Sequence, residues 1–192
     1  MNPIVIDPHN YNKYRAFAEA KDFCWYFCEA NNITPPVVLK NSNRFHHFGF
    51  WWKNEIHINM KACPNPVKEP FRMWSYTGYK ADRTVTGVIA HEMGHHVHFN
   101  SFKRDYWVER FGTKEMQAAK YRVSGYEPVV NETIAESMRL FILNPDLLRV
   151  IAPPRFELFL ELGLKPIVDL KWEEVLMNAH PKMINSIKNR IK

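Results

Sequence analysis

The sequence predicts an α+β fold in which one helix precedes a small sheet and a mostly helical second half follows. Three observations support this prediction: apolar residues recur at helical spacing near the start, three short strand-like runs come next, and helical spacing returns from about residue 82. A chain of 192 residues suits one compact domain, so we expect a single domain over residues 1–192. Within it we place the sheet at about 35–60, the central helices at about 83–143 and a helical C-terminal part at about 153–192.

The first helix is predicted over residues 11–31, where the apolar spacing ends at Asn31-Asn32. The three strands are predicted at Val37 to Leu39, Phe45 to Trp52 and Glu55 to Met60, and their short connections favour a mostly antiparallel meander. A proline-rich loop follows from Cys63 to Pro70. The later helices are predicted near residues 83–100, 128–143, 155–162, 171–179 and 181–191, with Phe156 and Trp172 as core residues.

The composition excludes several classes of protein. A hydrophobic fraction of 46% and a charged fraction of 24% are ordinary for a globular protein and exclude disorder as the main state. The longest apolar runs fall far short of the roughly 20 residues that span a bilayer, and the N-terminus lacks the pattern of a secretory signal. The net charge of +6 comes with no nucleic-acid-binding motif. We therefore expect a cytoplasmic protein with neither a membrane nor a nucleic acid as its partner.

The three cysteines are predicted to be buried core thiols. Cys24 and Cys28 lie one helical turn apart among aromatic residues, where a free cysteine behaves as a small hydrophobic residue, and Cys63 lies apart from both. The pair His46-His47 also lies among aromatic residues and is predicted to pack in the core.

The segment from His91 to His95 reads H-E-x-x-H and lies in the helix predicted over residues 83–100. Two histidines four residues apart lie about 40° apart around a helix axis, so both imidazoles can reach one ion. Glu92 lies near the same face, where its carboxylate can take a proton from a water at the metal. Histidine ligands beside a non-ligating glutamate favour zinc. His96 and His98 are interpreted as packing or surface residues.

The surroundings of this segment also indicate a buried helix. Asp82 or Thr84 can cap its N-terminus, and Gly87, Ala90 and Gly94 form a stripe of small residues at helical spacing. Each glycine costs a helix roughly 1 kcal/mol relative to alanine. The stripe therefore predicts that another backbone segment crosses the helix closely.

A catalytic zinc needs a third protein ligand and an open position. The metzincin pattern would place a glycine at position 98 and a histidine at position 101, and the sequence has His98 and Ser101 there, which excludes that subclass. Glu132 and Glu136 form a like-charge pair one helical turn apart, which is unfavourable without a cation. Glu132 is the candidate ligand and Glu136 the candidate partner of a ligand imidazole. The alternative is that Arg139 holds Glu136 in an ion pair.

The segment His91-Glu92-x-x-His95, followed by Asn131-Glu132-x-x-Ala135-Glu136, resembles the gluzincin metallopeptidases, although the 37-residue interval from His95 to Glu132 is longer than in thermolysin-like enzymes. A closer resemblance is to the catalytic domain of anthrax-lethal-factor-like peptidases. There a similar glutamate helix matches residues 132–140, and a tyrosine lies shortly upstream, as Tyr126 does here. Similar segments occur in phage-encoded metallopeptidases and head-morphogenesis proteins. The resemblance covers about residues 80–192, including the start of the last helix at Ala179-His180-Pro181-Lys182, and is specific at the two motifs.

This resemblance implies a zincin-like metallopeptidase domain with an active-site helix, a glutamate helix and one zinc ion per chain. The family tyrosine lies one residue further upstream of the ligand glutamate than Tyr126 does, so Tyr121 and Tyr106 stay alternatives as the oxyanion donor. By analogy the substrate lies extended along an edge strand, for which Glu55 to Met60 is the candidate. The roles implied are zinc ligation by His91, His95 and Glu132, general-base catalysis by Glu92, oxyanion stabilisation by Tyr126 and support of a ligand histidine by Glu136.

Three functions follow as hypotheses. The first is a zinc endopeptidase that hydrolyses a protein or peptide substrate. The second is a zinc-bearing structural or assembly protein of a phage particle with an incidental peptidase site, whose partners would be other phage or virion proteins and whose location would be the host cytoplasm or the virion. The third is a basic nucleic-acid-binding domain with a structural zinc. Glu92 favours the first, because a structural site has four protein ligands and does not use a general base.

Overall fold

A computed structural model describes residues 12–41, 47–64, 82–169, 171–175 and 181–191. The α+β prediction is confirmed, and this part of the chain is mostly helical with one small sheet. None of its helices combines the length and apolar character that crossing a membrane requires. The elements in chain order are α1 (Lys13–Ala30), β1 (Val37–Asn41), β2 (Gly49–Trp52), β3 (Glu55–Asn59), α2 (Val85–Asn100), α3 (Arg104–Phe111), a 3-10 turn (Ala119–Tyr121), α4 (Val130–Leu143), α5 (Pro145–Ile151), α6 (Pro153–Glu161), α7 (Trp172–Val175) and α8 (Pro181–Arg190).

Three of these elements were not predicted: α3, the 3-10 turn and α5. Helix α3 is rich in charged residues and buries only Trp107 and Phe111, which is too few apolar positions to show a helical period. Helix α5 begins where the Asn144-Pro145 dipeptide suggests a loop. The Asn144 side chain instead accepts a hydrogen bond from the backbone N–H of Leu147, and proline is well tolerated in the first turn of a helix. The C-terminal part of the helix predicted over 171–179 lies outside the described residues.

The sheet is mixed, so the predicted meander is wrong. Strands β2 and β3 form an antiparallel hairpin, and β1 pairs in parallel with the other side of β3, which gives the order β1-β3-β2. The hairpin turn at Lys53 and Asn54 has positive φ angles of 47° and 68° at both positions, as a tight two-residue hairpin requires. Strand β3 is therefore central rather than an edge strand, and the proposed substrate edge at Glu55 to Met60 is wrong. Among the strands in the described part of the chain, β1 and β2 are the edges.

Helix α2 is the central element and is buried on nearly all of its faces. It packs against α1, α4 and the sheet. Its N-cap is Thr84, whose hydroxyl accepts the backbone N–H of Gly87 at 3.1 Å. A Cβ on Gly94 would lie 2.8 Å from the Cα and 2.9 Å from the carbonyl oxygen of Ala135 in α4. The predicted close backbone crossing is confirmed at Gly94. It is wrong at Gly87, where the space is occupied by the Asp82 side chain, 2.2 Å from such a Cβ.

The core beside α2 and α4 is largely aromatic. Phe141 contacts Phe27, Phe156 and Phe159 at ring-centroid distances of 6.2, 5.6 and 5.0 Å, which joins α1 to α4 and α6. Phe156 and Trp172 are buried, as predicted. The three cysteines are free and buried, also as predicted, and burial raises the pKa of the Cys28 and Cys63 thiols to about 12.

We expect the substitution Gly94→Ala to destabilise the protein by about 1–3 kcal/mol, because the added methyl group must push α4 away from α2. The intrinsic helix preference for alanine acts in the opposite direction. Urea unfolding measures the effect. Ala18→Gly on the exposed face of α1 is the control, because it measures the helix preference for alanine over glycine at a site without packing. A Gly94→Ala protein at least as stable as the wild type would contradict the close crossing of α2 and α4.

We also expect His98 to make stability depend on pH. It is buried and stacks on Trp107 at a centroid distance of 5.6 Å, and burial lowers its pKa to about 4, while the backbone of Arg104 opposes this only in part. The unfolded chain binds the proton near pH 6.5, so its contribution is present above that pH and is lost as pH falls toward 4. Between pH 7.5 and 5, the wild type should lose about 2 kcal/mol more unfolding free energy than His98→Phe. Urea unfolding at each pH measures the free energies. The same dependence of unfolding free energy on pH in the two proteins would refute this prediction.

Candidate metal centre

The structure brings His91 and His95 of α2 together with Glu132 in the first turn of α4. One ligand atom from each of the three side chains lies within 4.8 Å of the other two, so the group can hold a metal ion. The Nε2 atom of His91 lies 3.1 Å from one carboxylate oxygen of Glu132, and the Nε2 atom of His95 lies 3.5 Å from the other. The two imidazole rings are nearly perpendicular, with centroids 4.9 Å apart.

These distances fit a bound cation better than direct pairing between the side chains. Donor atoms 2.0–2.1 Å from a tetrahedral ion lie about 3.3 Å from one another, close to both separations. Within the described part of the chain, Glu132 Oε2 is buried and accepts no hydrogen bond, although His91 Nε2 is only 3.1 Å away. The side chains therefore point toward a common position instead of forming well-directed hydrogen bonds with each other. Two imidazoles, one carboxylate and an open side are the donor set of several catalytic metal sites.

Glu136, one turn beyond Glu132, supports His91 from behind. Its Oε1 atom lies 2.7 Å from His91 Nδ1, and its carboxylate also accepts hydrogen bonds from Arg139 at 3.3 and 3.1 Å. Glu136 therefore makes both of the contacts that were considered as alternatives, one with the His91 imidazole and one with Arg139. The Nδ1–H of His91 donates to this carboxylate, so Nε2 is the ring atom that faces the candidate metal position.

A chain of buried charges continues behind Glu136. Arg139 Nη1 lies 4.0 Å from Asp82 Oδ2, and Asp82 Oδ1 accepts the backbone N–H of Thr84 at 3.0 Å. Burial raises the pKa of Asp82 to about 7, and Arg139 partly opposes this increase. Gly87 lacks a Cβ where the Asp82 carboxylate lies, which explains why this helix position is a glycine.

The pKa values of the ligand side chains reflect their mutual attraction. Burial favours the neutral form of His91, but the nearby carboxylates of Glu132 and Glu136 outweigh it and raise the pKa of His91 to about 10. Burial also disfavours the ionised Glu132, yet the two histidines lower its pKa to about 2. Arg139 and His91 overcome burial in the same way and lower the pKa of Glu136 to about 2. The carboxylates therefore attract positive charge to this position, which a divalent cation would supply.

Glu92 is buried beside the three candidate ligands. Burial raises its pKa above the ordinary carboxyl range, while His91 and His95 act in the opposite direction. A hydrogen bond from the backbone N–H of Trp51 in β2 also favours its ionised form. In the β2–β3 hairpin register Trp51 is opposite Ile56 in a non-hydrogen-bonded pair, so its backbone polar groups face the open edge of the sheet. Glu92 therefore lies between the candidate metal position and the β2 edge.

A network that the sequence did not reveal holds β2 against α2. The indole N–H of Trp51 donates to His96 Nδ1 at 3.2 Å, and His96 Nε2 lies 2.7 Å from the backbone oxygen of Thr34. Trp51 also stacks on Phe99 at a centroid distance of 5.2 Å. Of the two alternatives for His96 and His98, packing or surface residues, their burial confirms packing. In the sequence, only the position of His96 next to His95 could have indicated that it anchors β2 to α2.

Tyr126 lies at the edge of the centre, with its ring centroid 5.8 Å from that of His91. Its side chain is 45% exposed, and burial together with the nearby carboxylates raises its pKa. The loop that carries it is held by Glu127, which accepts backbone N–H groups of Val123 and Ser124 at 2.7 and 2.9 Å. Arg155, fully buried in α6, donates to Glu127 at 2.9 Å. The loop is therefore tied to the helical core.

The two alternative tyrosines lie elsewhere. Tyr106 forms a hydrogen bond to Glu161 on an exposed surface, and Tyr121 does not line the cleft around the candidate ligands. Of the three, the structure brings only Tyr126 to the site.

An open cleft of about 490 Å³ surrounds the centre. One wall is the segment from His47 to Trp51, which contains most of β2. The prediction that His47 packs in the core is wrong, because its side chain is exposed and lines this cleft; His46 lies outside the described residues. The aromatic neighbours line the cleft wall instead of enclosing a core, which is why composition alone misled here. The other lining residues are Asp82, Arg83, Val88, His91, Glu92, His95, Phe99, Tyr126, Asn131, Glu132 and Glu136.

Comparisons of the chain with protein-family models, with curated proteins and with solved structures found no match.

We expect Glu132→Ala to weaken metal binding by more than about 100-fold and Glu136→Gln by about 10–100-fold, because the first removes a ligand and the second only weakens the support of His91. Competition of the purified variants with a chromophoric chelator measures the dissociation constants. Glutamine at 136 is used because it keeps a hydrogen-bond acceptor for the buried Arg139, whereas alanine would leave this side chain only Asp82, 4.0 Å away. Glu109→Ala on the exposed face of α3 is the control, and a larger effect at 136 than at 132 would reverse the assignment.

Proposed function

We propose that this protein is a zinc-dependent endopeptidase that hydrolyses a protein or peptide substrate. The observation that carries the proposal is the convergence of His91, His95 and Glu132 at the base of an open cleft, with Glu92 buried beside them. A zincin-like classification rests on the same residues and on the resemblance of their two motifs.

The donor set supports zinc and hydrolysis together. Two histidines with one glutamate are the ligands of several catalytic zinc sites, whereas structural zinc sites have four protein ligands. The same donor types also hold iron in some oxygenases. Glu92 favours hydrolysis over that alternative, because a carboxylate beside the metal is suited to accept a proton from water. The open cleft weighs against a purely structural role.

The ion would lower the pKa of a water molecule to roughly 7 and polarise a carbonyl group. Glu92 accepts the proton that the attacking water loses and then donates it to the leaving amine. Burial raises the pKa of Glu92, which makes its carboxylate a stronger base toward the proton of the water. The Trp51 N–H holds the carboxylate in place. His91 is held in turn by Glu136, so its ring cannot rotate without losing a buried hydrogen bond.

Tyr126 is proposed to stabilise the negative charge that develops on the carbonyl oxygen. Its hydroxyl is a donor on a partly exposed side chain beside His91, so a substrate can reach it. Its raised pKa keeps the hydroxyl protonated, as a donor must be.

The substrate strand is proposed to add to the free edge of β2. That edge lines the cleft, and the backbone groups of Gly49 and the carbonyl group of Trp51 face away from β3, while the Trp51 N–H is already bound to Glu92. An extended peptide there would form main-chain hydrogen bonds and pass over Glu92.

The test is to measure metal content and peptide hydrolysis for the wild type and Glu92→Gln. We expect about one zinc per chain in both proteins, since Glu92 is not a ligand, and a loss of hydrolysis of at least about 100-fold in the variant. A mixed peptide library read by mass spectrometry detects cleavage. Cleavage at wild-type rates by Glu92→Gln would exclude the general-base role, and a folded wild type that refuses added zinc would exclude the proposed function.

Tyr126→Phe should reduce kcat by about 100–1000-fold with little change in KM, because the lost hydroxyl acts on charge that exists only in the transition state. Steady-state kinetics on a peptide found in the library measures both constants. Tyr121→Phe and Tyr106→Phe are the matched controls and should keep wild-type kcat. If one of them loses activity and Tyr126→Phe does not, the oxyanion donor is a different tyrosine.

A further inference from the structure

Arg83 is a cleft residue that the proposed chemistry does not use. It comes just before Thr84, the N-cap of α2, and its side chain is exposed. The guanidinium carbon lies 4.8 Å from the ring centroid of Phe48, and both residues line the cleft around the metal centre. Tyr126, the proposed oxyanion donor, lines the same cleft.

Within the described ranges, Arg83 is the one lysine or arginine that lines this cleft, and it forms no ion pair. The acidic residues of the cleft are already engaged. Glu132 faces the two histidines, Glu136 binds His91 and Arg139, and Asp82 accepts the Thr84 N–H beside Arg139. Glu92 accepts the backbone N–H of Trp51. The positive charge of Arg83 is therefore available to a molecule that enters the cleft.

The chemistry of the side chain selects a carboxylate. A guanidinium presents a planar set of N–H donors that matches the two oxygens of a carboxylate. The guanidinium lies over the Phe48 ring, so the ring covers one side of it. Its N–H donors stay available to a molecule in the cleft.

The position along β2 gives the distance from the reacting bond. Phe48 directly precedes β2 and lies three residues from Trp51, which contacts Glu92 through its N–H group. At about 3.3 Å per residue, this interval is about 10 Å along an extended peptide. A carboxylate bound by Arg83 would therefore be two or three residues from the peptide bond at the metal centre.

We propose that Arg83 is a specificity-determining residue that selects peptides carrying a carboxylate two or three residues from the cleaved bond. The proposal deepens the proposed function and rests on it. The carboxylate can come from an aspartate or glutamate side chain or from the C-terminus of the peptide, and the two sources are distinguished by the test.

The experiment measures binding separately from cleavage. Zinc-loaded Glu92→Gln is titrated with ten-residue alanine-based peptides that carry one glutamate or a matched glutamine, each with an amidated or a free C-terminus. The same titrations are made with Glu92→Gln combined with Arg83→Gln, Arg83→Lys or, as a control on the exposed surface, Lys114→Gln. Thermal unfolding verifies that each variant is folded.

We expect the amidated glutamate peptide to bind at least about 10-fold more tightly than its glutamine counterpart. Arg83→Gln should abolish this preference, Arg83→Lys should keep part of it, and Lys114→Gln should not change it. Tighter binding of the free-C-terminus peptides than of their amidated forms, equal for glutamate and glutamine and lost in Arg83→Gln, would assign the carboxylate to the peptide end. Equal binding of all peptides, no binding, or a preference that survives Arg83→Gln would overturn the proposal.

Cleavage by the wild type separates this proposal from the proposed function. Mass spectrometry of the products should place the acidic residue two or three positions from the cleaved bond. If the zinc-loaded wild type cleaves no peptide while the Arg83-dependent binding preference persists, the peptidase function fails and the role of Arg83 in carboxylate recognition stands. If peptides are cleaved without regard to acidic residues, the role of Arg83 fails and the peptidase function stands.

Discussion

The close approach of α2 and α4 at Gly94 is the constraint on which the rest of the site depends. Helices whose side chains interlock normally lie 8–10 Å apart, and a glycine facing the backbone of Ala135 allows the closest packing. Gly94 directly precedes His95, and Ala135 lies between Glu132 and Glu136. The same contact that packs the two helices therefore brings the histidines of one against the carboxylates of the other.

Behind this contact the protein buries charges that a purely structural core would avoid. Removing charged groups from water is costly, and a buried ion pair is weak support for stability. Here the chain from His91 through Glu136 and Arg139 to Asp82 leaves each charge next to an opposite one. This chain of charges fixes the orientation of the His91 ring and keeps Glu136 ionised. A second buried pair, Glu127 with Arg155, fixes the loop of Tyr126, so rigidity is concentrated around the cleft.

The cleft itself is assembled from segments far apart in the chain. Strand β2 forms a wall because Trp51 is anchored to His96 and stacked on Phe99, both on α2. One helix thus supplies two candidate ligands, the candidate base and the support for the wall along which we propose that a peptide lies. Since Arg83 directly precedes the N-cap of α2, this helix also relates the proposed carboxylate contact to the metal centre.

The sequence by itself determined the α+β class, most of the long helices and the candidate ligand set. Those inferences rest on local periodicity and on residues one helical turn apart, such as His91 with His95 and Glu132 with Glu136, which a helix places on one face whatever surrounds it. Short helices such as α3 and α5, the parallel pairing of β1, the exposure of His47 and the choice of Tyr126 over Tyr121 and Tyr106 required the tertiary structure. Each depends on contacts between distant segments: a strand can pair on either side of its neighbour, an aromatic run can line a core or a cleft, and a tyrosine acts only where its loop is held.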